Sequence, residues 1–415
     1  MIRLIQFEIK KLRRSTYFKW LLLLLGIAIL SFYAYVYANT ISVETIIGRQ
    51  QEKIFMTEQR IAEMKTKLEN GIEEEDISEE SIAVYEDFLT KDQDILNALE
   101  QQNWSEYFAL LTTEFEGTVQ TEQSSLLQVS STYIWPTPYT TIALGDEYQW
   151  MQRYGIEPVF PVNWSTRMIA YDEELSGPAL APISNKHSST GLYFSYELFG
   201  YMLTLFGVIY FLFLFSNIIT KEGNYRNGPI QLLRTQPIKH YQIIFVKLVT
   251  ILTLSIVIIA FIWGVAMLLG MAFHNSGDWY YPVGVYGENQ QLTFMAMGQF
   301  LVKSFGLFIM LLLFSYSLLF LYSILANRAL IALGLTVITL FLGIWTVTQS
   351  FSYSFTKWIP FHYVNVFQIV TNEYALLHDQ FSISYVNGVI SLLTASVIVL
   401  LLTLIVSKLK QGVVR

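Results

Sequence analysis

Long apolar runs alternate with polar stretches along this chain, and the runs predict helices that cross a membrane. A bilayer core is spanned by about 20 apolar residues as an α-helix, in which every backbone amide finds a partner. Six windows meet this requirement: 20–38, 198–219, 248–273, 304–325, 330–350 and 383–406. Asn327-Arg328 is the only polar break between the fourth and fifth windows, which predicts a tight helical hairpin. The first window exceeds a secretion-signal core and lacks a clean cleavage pattern after it, so we interpret it as a retained span.

The polar region after the first window begins with a helical pattern. Ile47, Ile54, Ile61 and Leu68 recur every seven residues with charges between them, which predicts a long amphipathic helix. Gly71 and an acidic run end it, and residues 82–127 can carry one or two further helices. Two interpretations stay open: an antiparallel helical hairpin that buries its own stripe, or a stalk that pairs with another subunit.

Residues 133–190 have a different composition. Six of the chain's ten prolines fall here, together with Trp135, Trp150 and Trp164. Prolines at this density favour short strands and loops, so we expect a compact cap. Its aromatic residues either form the core of the cap or contact a ligand.

Charge is distributed very unevenly. The chain is 53% hydrophobic and 14% charged, whereas a soluble domain carries roughly a quarter charged residues. Residues 39–195 hold 26 Asp and Glu against 9 Lys and Arg, which leaves 7 acids and 17 bases for the rest of the chain.

Lysine and arginine in short flanking loops predict the orientation, because such residues stay on the cytoplasmic side. They precede the first window and occur in 221–247, at Arg328 and after the sixth window, whereas 274–292 has none and 351–382 has only Lys357. We therefore expect a multi-pass protein of the cell membrane with both termini cytoplasmic and residues 39–195 extracellular.

These patterns predict an all-α polytopic membrane protein of six transmembrane helices with an N-terminal interfacial helix. Its extracellular domain is expected to be a helical hairpin followed by a mixed α/β or loop-rich cap. The expected division is an interfacial helix 1–16, span one 17–38, the extracellular domain 39–195, span two 196–220, a cytoplasmic loop 221–241, span three 242–273, span four 293–326, span five 328–350, an outer re-entrant or amphipathic segment 351–382, and span six 383–407.

The loop between the second and third windows carries a spaced set of residues. They are Glu222, Gly228, Leu232, Leu233, Thr235, Pro237, Lys239 and Lys247. In this spacing the chain resembles the permease subunits of type-2 ATP-binding-cassette (ABC) exporters of bacteria, and the six-span topology agrees with that resemblance. The extracellular domain is then a large insertion between spans one and two.

The resemblance implies that this loop forms a coupling helix that contacts an ATPase. Pro229 suits the first turn of a helix, where its missing N–H costs nothing. Ile230, Leu233 and Pro237 fall on one side of such a helix, and Gln231 and Arg234 fall on the others. The predicted ATPase-coupling residues are Glu222, Gly228, Gln231, Leu233, Arg234, Pro237, Lys239 and Lys247. An ordinary basic connecting loop is the alternative.

Two further segments match features that the resemblance implies. Ile2, Ile5, Ile9 and Leu12 fall on one helix face and Arg3, Lys10, Arg13 and Arg14 point away, as in a helix lying on anionic headgroups. The permeases have such a helix before span one, where it also contacts the ATPase. A basic flank that only sets the orientation is the alternative. Between spans five and six, Trp358, Pro360 and Tyr363 are candidates for an outer gate, with interface anchoring as the alternative.

The sequence lacks the motifs of an enzyme. It has no Gly-x-x-x-x-Gly-Lys-[Ser/Thr] loop, no cysteine, and five scattered histidines. We expect no cofactor or metal on this chain, with ATP and Mg²⁺ bound by two copies of a partner ABC ATPase.

The other expected partners are a second permease copy or a paralogous permease and the lipid bilayer, and no nucleic acid. The predicted function is ATP-driven export of an amphiphilic substrate, with a peptide favoured. The alternative is a mechanical or sensory protein whose extracellular domain acts on a cell-envelope partner without transport.

Overall fold

A computed structural model describes residues 2–70, 78–112, 138–160, 186–220, 240–288, 292–326, 328–347 and 355–413. The chain divides into two compact units. The first unit comprises residues 1–34, 190–276 and 283–415, and we call it the membrane unit. The second comprises residues 35–189 and 277–282, and we call it the inserted unit.

The described residues are predominantly helical. In chain order the helices are α1 Ile2–Arg13, α2 Thr16–Asn39, α3 Val43–Glu69, α4 Glu79–Glu100, α5 Pro138–Tyr154, α6 Gly191–Met202, α7 Leu205–Thr220, α8 His240–Phe273, α9 Met297–Leu325, α10 Ala329–Val347, α11 Val366–Val370, α12 Glu373–Leu377 and α13 Tyr385–Val413. Two strands, β1 Pro282–Tyr286 and β2 Leu292–Ala296, pair into a hairpin, and 3₁₀ turns cover Thr356–Trp358 and Pro360–Val364. Residues 104–112 are also helical.

Five helical segments in the described part of the chain are long and apolar enough to cross a membrane. They contain α2, α8, α9, α10 and α13. The pair α6 and α7 gives a sixth candidate if the two helices count as one span, but they meet at a bend of 76°. The chain is therefore a mostly helical polytopic membrane protein. Where the sequence predicted one continuous second span, the structure has two helices.

Helix α9 forms the centre of the membrane unit and is the most deeply buried of the spanning helices. It packs against α13, α10 and α7. Phe308, Leu312 and Leu319 on α9 have no exposed surface. Tyr316 is also fully buried, and its hydroxyl lies 2.7 Å from Ser255 Oγ on α8, so that its polar atom is satisfied inside the apolar core.

Helices α3 and α4 form an antiparallel hairpin within the inserted unit. Ile61 and Met64 pack on Ile82 near the hairpin tip, and Ile46 packs on Ile95 and Leu99 at the other end. Each helix begins at a serine cap, because Ser42 accepts from Thr45 N–H and Ser78 forms a reciprocal capping box with Ser81. Of the predicted heptad, Ile54 and Ile61 are buried, Ile47 is half-buried and Leu68 is 38% exposed.

The cap prediction needs correction over residues 138–154. The sequence favoured short strands and loops there, but these residues form helix α5, with Pro138 as its first residue, where proline is tolerated. Phe108 and Tyr148 are in ring contact, and Trp150 Nε1 donates to Tyr280 O at 2.8 Å. Residues 133–137 and 161–185 of the predicted cap lie outside the described residues.

Candidate functional site

Helix α1 packs against α8, and one of its buried residues is acidic. Glu8 and Leu12 are each 5% exposed, and Ile5 is half-buried. Lys11 Nζ lies 3.7 Å from Glu8 Oε2, which lowers the cost of burying the carboxylate. Ile9, which the sequence placed with Ile5 and Leu12, is 39% exposed. The buried stripe therefore runs through Glu8 instead of Ile9.

The predicted coupling segment falls almost wholly outside the described residues. The coupling residues in that position are Glu222, Gly228, Gln231, Leu233, Arg234, Pro237 and Lys239. The structure gives the two ends of the segment, since α7 ends at Thr220 and α8 begins at His240.

Lys247 is the one predicted coupling residue that the structure describes. It lies two turns into α8 and is 5% exposed. A buried ammonium group requires polar partners, and Lys247 does take part in such an interaction. Because α1 packs on the same helix, the N-terminal helix and one end of the coupling segment are joined through α8. Arg13, at the end of α1, is exposed.

The other end of the coupling segment is reached through the bent pair α6 and α7. Thr204 stabilises the bend, because its hydroxyl donates to Tyr201 O at 2.7 Å and accepts from Phe206 N–H at 3.3 Å. Gly207 permits the bend, since a Cβ at this position would lie 1.8 Å from Met202 O. The bend is therefore specified by residues on both sides of it.

The two halves of the bent pair are held differently. Helix α6 lies against α8 with backbone contact, since a Cβ on Gly270 would be 2.1 Å from Gly191 N. Helix α7 packs through aromatic rings, with Phe215 against Tyr316 and Phe18, and with Tyr210 donating to Leu21 O at 3.0 Å. The helix that enters the coupling segment is thus held by side chains, whereas the other half of the pair is fixed at the backbone.

The stretch that holds the bent pair and α8 is similar to a known protein family. Residues 178–343 match the family model described as ABC-2 family transporter protein. The match supports a membrane permease component of an ABC transporter. The comparisons with curated proteins and with solved structures gave no match.

The ABC-2 region, residues 178–343, lies mostly in the membrane unit, and its residues 178–189 and 277–282 belong to the inserted unit. It contains the bent pair, the loop with the predicted coupling residues, α8, the β-hairpin, α9 and most of α10. The helices α1, α2 and α13 lie outside it, and so does the predicted outer segment.

The predicted outer segment consists of short turns and helices that are packed into the ends of α10 and α13. Tyr363 has no exposed surface, and its hydroxyl donates to Lys357 O at 2.6 Å. Gly388 on α13 makes room for the Tyr363 ring, because a Cβ there would be 2.6 Å from it. Trp358 is 50% exposed and Pro360 begins the second 3₁₀ turn. Of the three gate candidates, only Tyr363 is a buried anchor.

His362 is a further buried residue of this segment. Its Nδ1 lies 3.0 Å from the Tyr374 hydroxyl, and 1% of the residue is exposed. Burial and then the nearby His378 lower the pKa of His362 to about 4, so its ring is neutral at pH 7. The segment therefore carries a histidine that favours its uncharged form.

Sequence reasoning missed several of these residues. Gly207 and Gly270 lie in apolar helical runs, but sequence alone does not separate them from Gly264, which has no neighbour within 4 Å of an added Cβ. The burial of Glu8 has no sequence signal either, because an acid on an amphipathic helix is usually solvated.

Proposed function

We propose that the chain is the membrane-spanning subunit of an ATP-driven exporter, which couples hydrolysis by a partner ATPase to outward movement of an amphiphilic substrate. The match of residues 178–343 to the ABC-2 family is the observation that carries this proposal. That region includes the loop 221–239, whose spacing of Glu222, Gly228, Pro237 and Lys239 resembles a coupling helix.

The packing of the membrane unit supports a lever role for this loop. One end of the loop joins α7, which contacts α2 and α9 through rings, and the other end joins α8, which packs on α1. A push on the loop would move α7 relative to α6, because the 76° bend separates the two into distinct helices. The predicted orientation places the loop and α1 on the cytoplasmic side, where an ATPase would act.

A peptide is the favoured cargo, with two permease copies and two ATPase subunits forming the complete exporter. The alternative function is force transmission without transport. The α3–α4 hairpin supports this alternative, because it belongs to a separate unit and its helices bury apolar residues against each other, so that it could engage an envelope partner.

The double variant Arg234→Glu with Lys239→Glu tests the coupling assignment. We expect the purified complex to lose most of its bound ATPase, because each substitution reverses a charge on the proposed contact. Stoichiometry by size exclusion and ATP hydrolysis per permease are the measurements. Arg328→Glu with Lys408→Glu is the matched control, since both residues are exposed and make the same charge change elsewhere. Normal binding and hydrolysis in the first variant would show that the assigned site is wrong.

A further inference from the structure

The first span carries an apolar groove with a basic cluster at one end. The groove has a volume of about 350 Å³ and is lined by Tyr17, Trp20, Leu21, Leu23, Leu24 and Ile27 of α2. Trp20 is 65% exposed and Leu24 is 60% exposed. These residues are too apolar to face water, so in the assembled membrane a lipid or another protein covers them.

The basic cluster consists of Arg13, Arg14 and Lys19, all exposed. Arg14 lies in the turn between α1 and α2, which is closed by Ser15 N–H donating to Leu12 O at 2.8 Å. Lys19 precedes Leu23 by one helical turn and thus lies on the same stripe as the groove. Among the residues that the structure describes, no ion pair involves any of these three cations.

Within residues 5–34, every exposed charged side chain is basic. Glu8 is the only acid in the first 34 residues, and it is buried beside Lys11. An anionic headgroup would complement this cluster while its acyl chain occupied the groove. Tyr17 lies between Arg14 and Lys19, and Trp20 lies between Lys19 and the aliphatic residues, an order that suits the boundary between headgroups and hydrocarbon.

We infer that α2 and its basic turn form a binding site for one anionic phospholipid, with the phosphate near Arg14 and Lys19 and an acyl chain along Trp20 to Ile27. A second copy of this chain fits the surface less well. An isologous contact would bring the same patch of each copy together, and with it two clusters of the same charge. The site adds to the proposed function and does not depend on it.

Quenching of tryptophan fluorescence by brominated lipids tests the inference. The full chain is reconstituted in phosphatidylcholine vesicles that contain brominated phosphatidylglycerol or brominated phosphatidylcholine at the same low mole fraction. The difference between wild type and Trp20→Phe isolates the Trp20 signal. We expect that signal to be quenched at least about threefold more strongly by the anionic lipid, since basic side chains near the surface attract its headgroup.

Matched charge variants assign the effect to this cluster. Arg14→Gln with Lys19→Gln should reduce quenching by phosphatidylglycerol to the phosphatidylcholine level, and Arg328→Gln with Lys408→Gln should leave it unchanged. Equal quenching by the two lipids, or equal loss in both double variants, would reduce the site to ordinary bilayer contact and overturn the inference. Absence of quenching by either lipid would show that protein covers the groove, which would overturn the inference as well.

Native mass spectrometry provides a measurement that needs no Trp20 substitution. We expect the wild-type chain released from detergent to retain one phosphatidylglycerol in preference to phosphatidylcholine, and the Arg14→Gln with Lys19→Gln variant to lose this preference. Retention without preference in the wild type would contradict the inference.

Discussion

At the residue scale, the stability of the folded chain depends on the surroundings of His362 and Gly270. His362 is buried in the segment before α13, in contact with Tyr374. Gly270 lies on α8 where the backbone of α6 approaches it. We therefore expect the stability of the chain to depend on pH through His362 and on side-chain volume at Gly270.

The pKa of His362 predicts a loss of stability in acid. Its pKa is lowered from 6.5 to about 4 in the folded chain, so between these values the unfolded chain binds the proton more readily. Stability should therefore fall as the pH drops from 6.5 towards 4. His362→Gln removes this contribution and keeps a polar partner for Tyr374.

The measurement is the thermal midpoint of wild type and His362→Gln in detergent at about pH 7.5 and about pH 5, on either side of the ordinary histidine pKa. Tryptophan fluorescence reports the unfolding. We expect the variant to lose less of its midpoint in acid than wild type. A difference between the two proteins that stays constant with pH would contradict the pKa assignment.

Gly270→Ala should destabilise the membrane unit. The added Cβ would meet Gly191 N at 2.1 Å, which is backbone and cannot rotate away, so α6 and α8 must separate. Overpacking of this kind costs about 1–3 kcal/mol. Gly264→Ala on the same helix is the control, because its Cβ would meet nothing within 4 Å. Equal thermal midpoints for the two variants would mean that the close approach is not needed.

At the scale of elements, the α3–α4 hairpin is aligned by a buried polar cluster. Gln50 Nε2 donates to Asp92 Oδ1 at 3.0 Å and to Asp92 O at 3.1 Å. Lys53 Nζ lies 2.7 Å from Asp92 Oδ1, and Asp92 is 4% exposed. The cluster is satisfied only when the two helices pair in this register, so we infer that it specifies the alignment.

Asp92→Ala should therefore weaken the hairpin. It leaves the buried Gln50 amide without its acceptor side chain, which costs about 1–3 kcal/mol. Glu86→Ala is the control, because the Lys65–Glu86 pair is about half exposed on both sides and such pairs contribute about 0–1 kcal/mol. Hydrogen exchange of the α3 amides in the full chain measures both effects. Equal exchange in the two variants would contradict the assignment to Asp92.

The elements differ in how far sequence could predict them. The spanning helices follow from apolar runs, because hydropathy alone selects them. The bend between α6 and α7 cannot be predicted in this way, since a hydropathy window reports average polarity and not the direction of the helix axis. Thr204 and Gly207, which shape the bend, barely change that average hydropathy. Helix α5 escapes prediction because proline usually breaks a helix, whereas Pro138 opens this one.

At the scale of the whole molecule, the stretch that matches the family model also contains the elements on which the proposed mechanism depends. The ABC-2 region contains the bent pair, the loop that carries the predicted coupling residues, and the buried helix α9. Of the predicted coupling residues, the structure describes only Lys247. Sequence spacing therefore remains the basis for the other predicted coupling residues. The packing of α7 and α8, the helices at the two ends of the loop, is known only from the structure.

Orientation of the coupling loop is the claim on which the exporter proposal depends. The chain contains no cysteine, so a single introduced cysteine reports on one position without background. Asn227→Cys places it in the loop, and Glu58→Cys places it on the exposed side of α3.

Intact cells are treated with a membrane-impermeant maleimide, and permeabilised cells provide the total labelling. We predict that the Glu58→Cys variant is labelled in intact cells and that the Asn227→Cys variant is labelled only after permeabilisation. Labelling of the Asn227→Cys variant in intact cells would place the loop outside the cell and contradict the proposed coupling to a cytoplasmic ATPase.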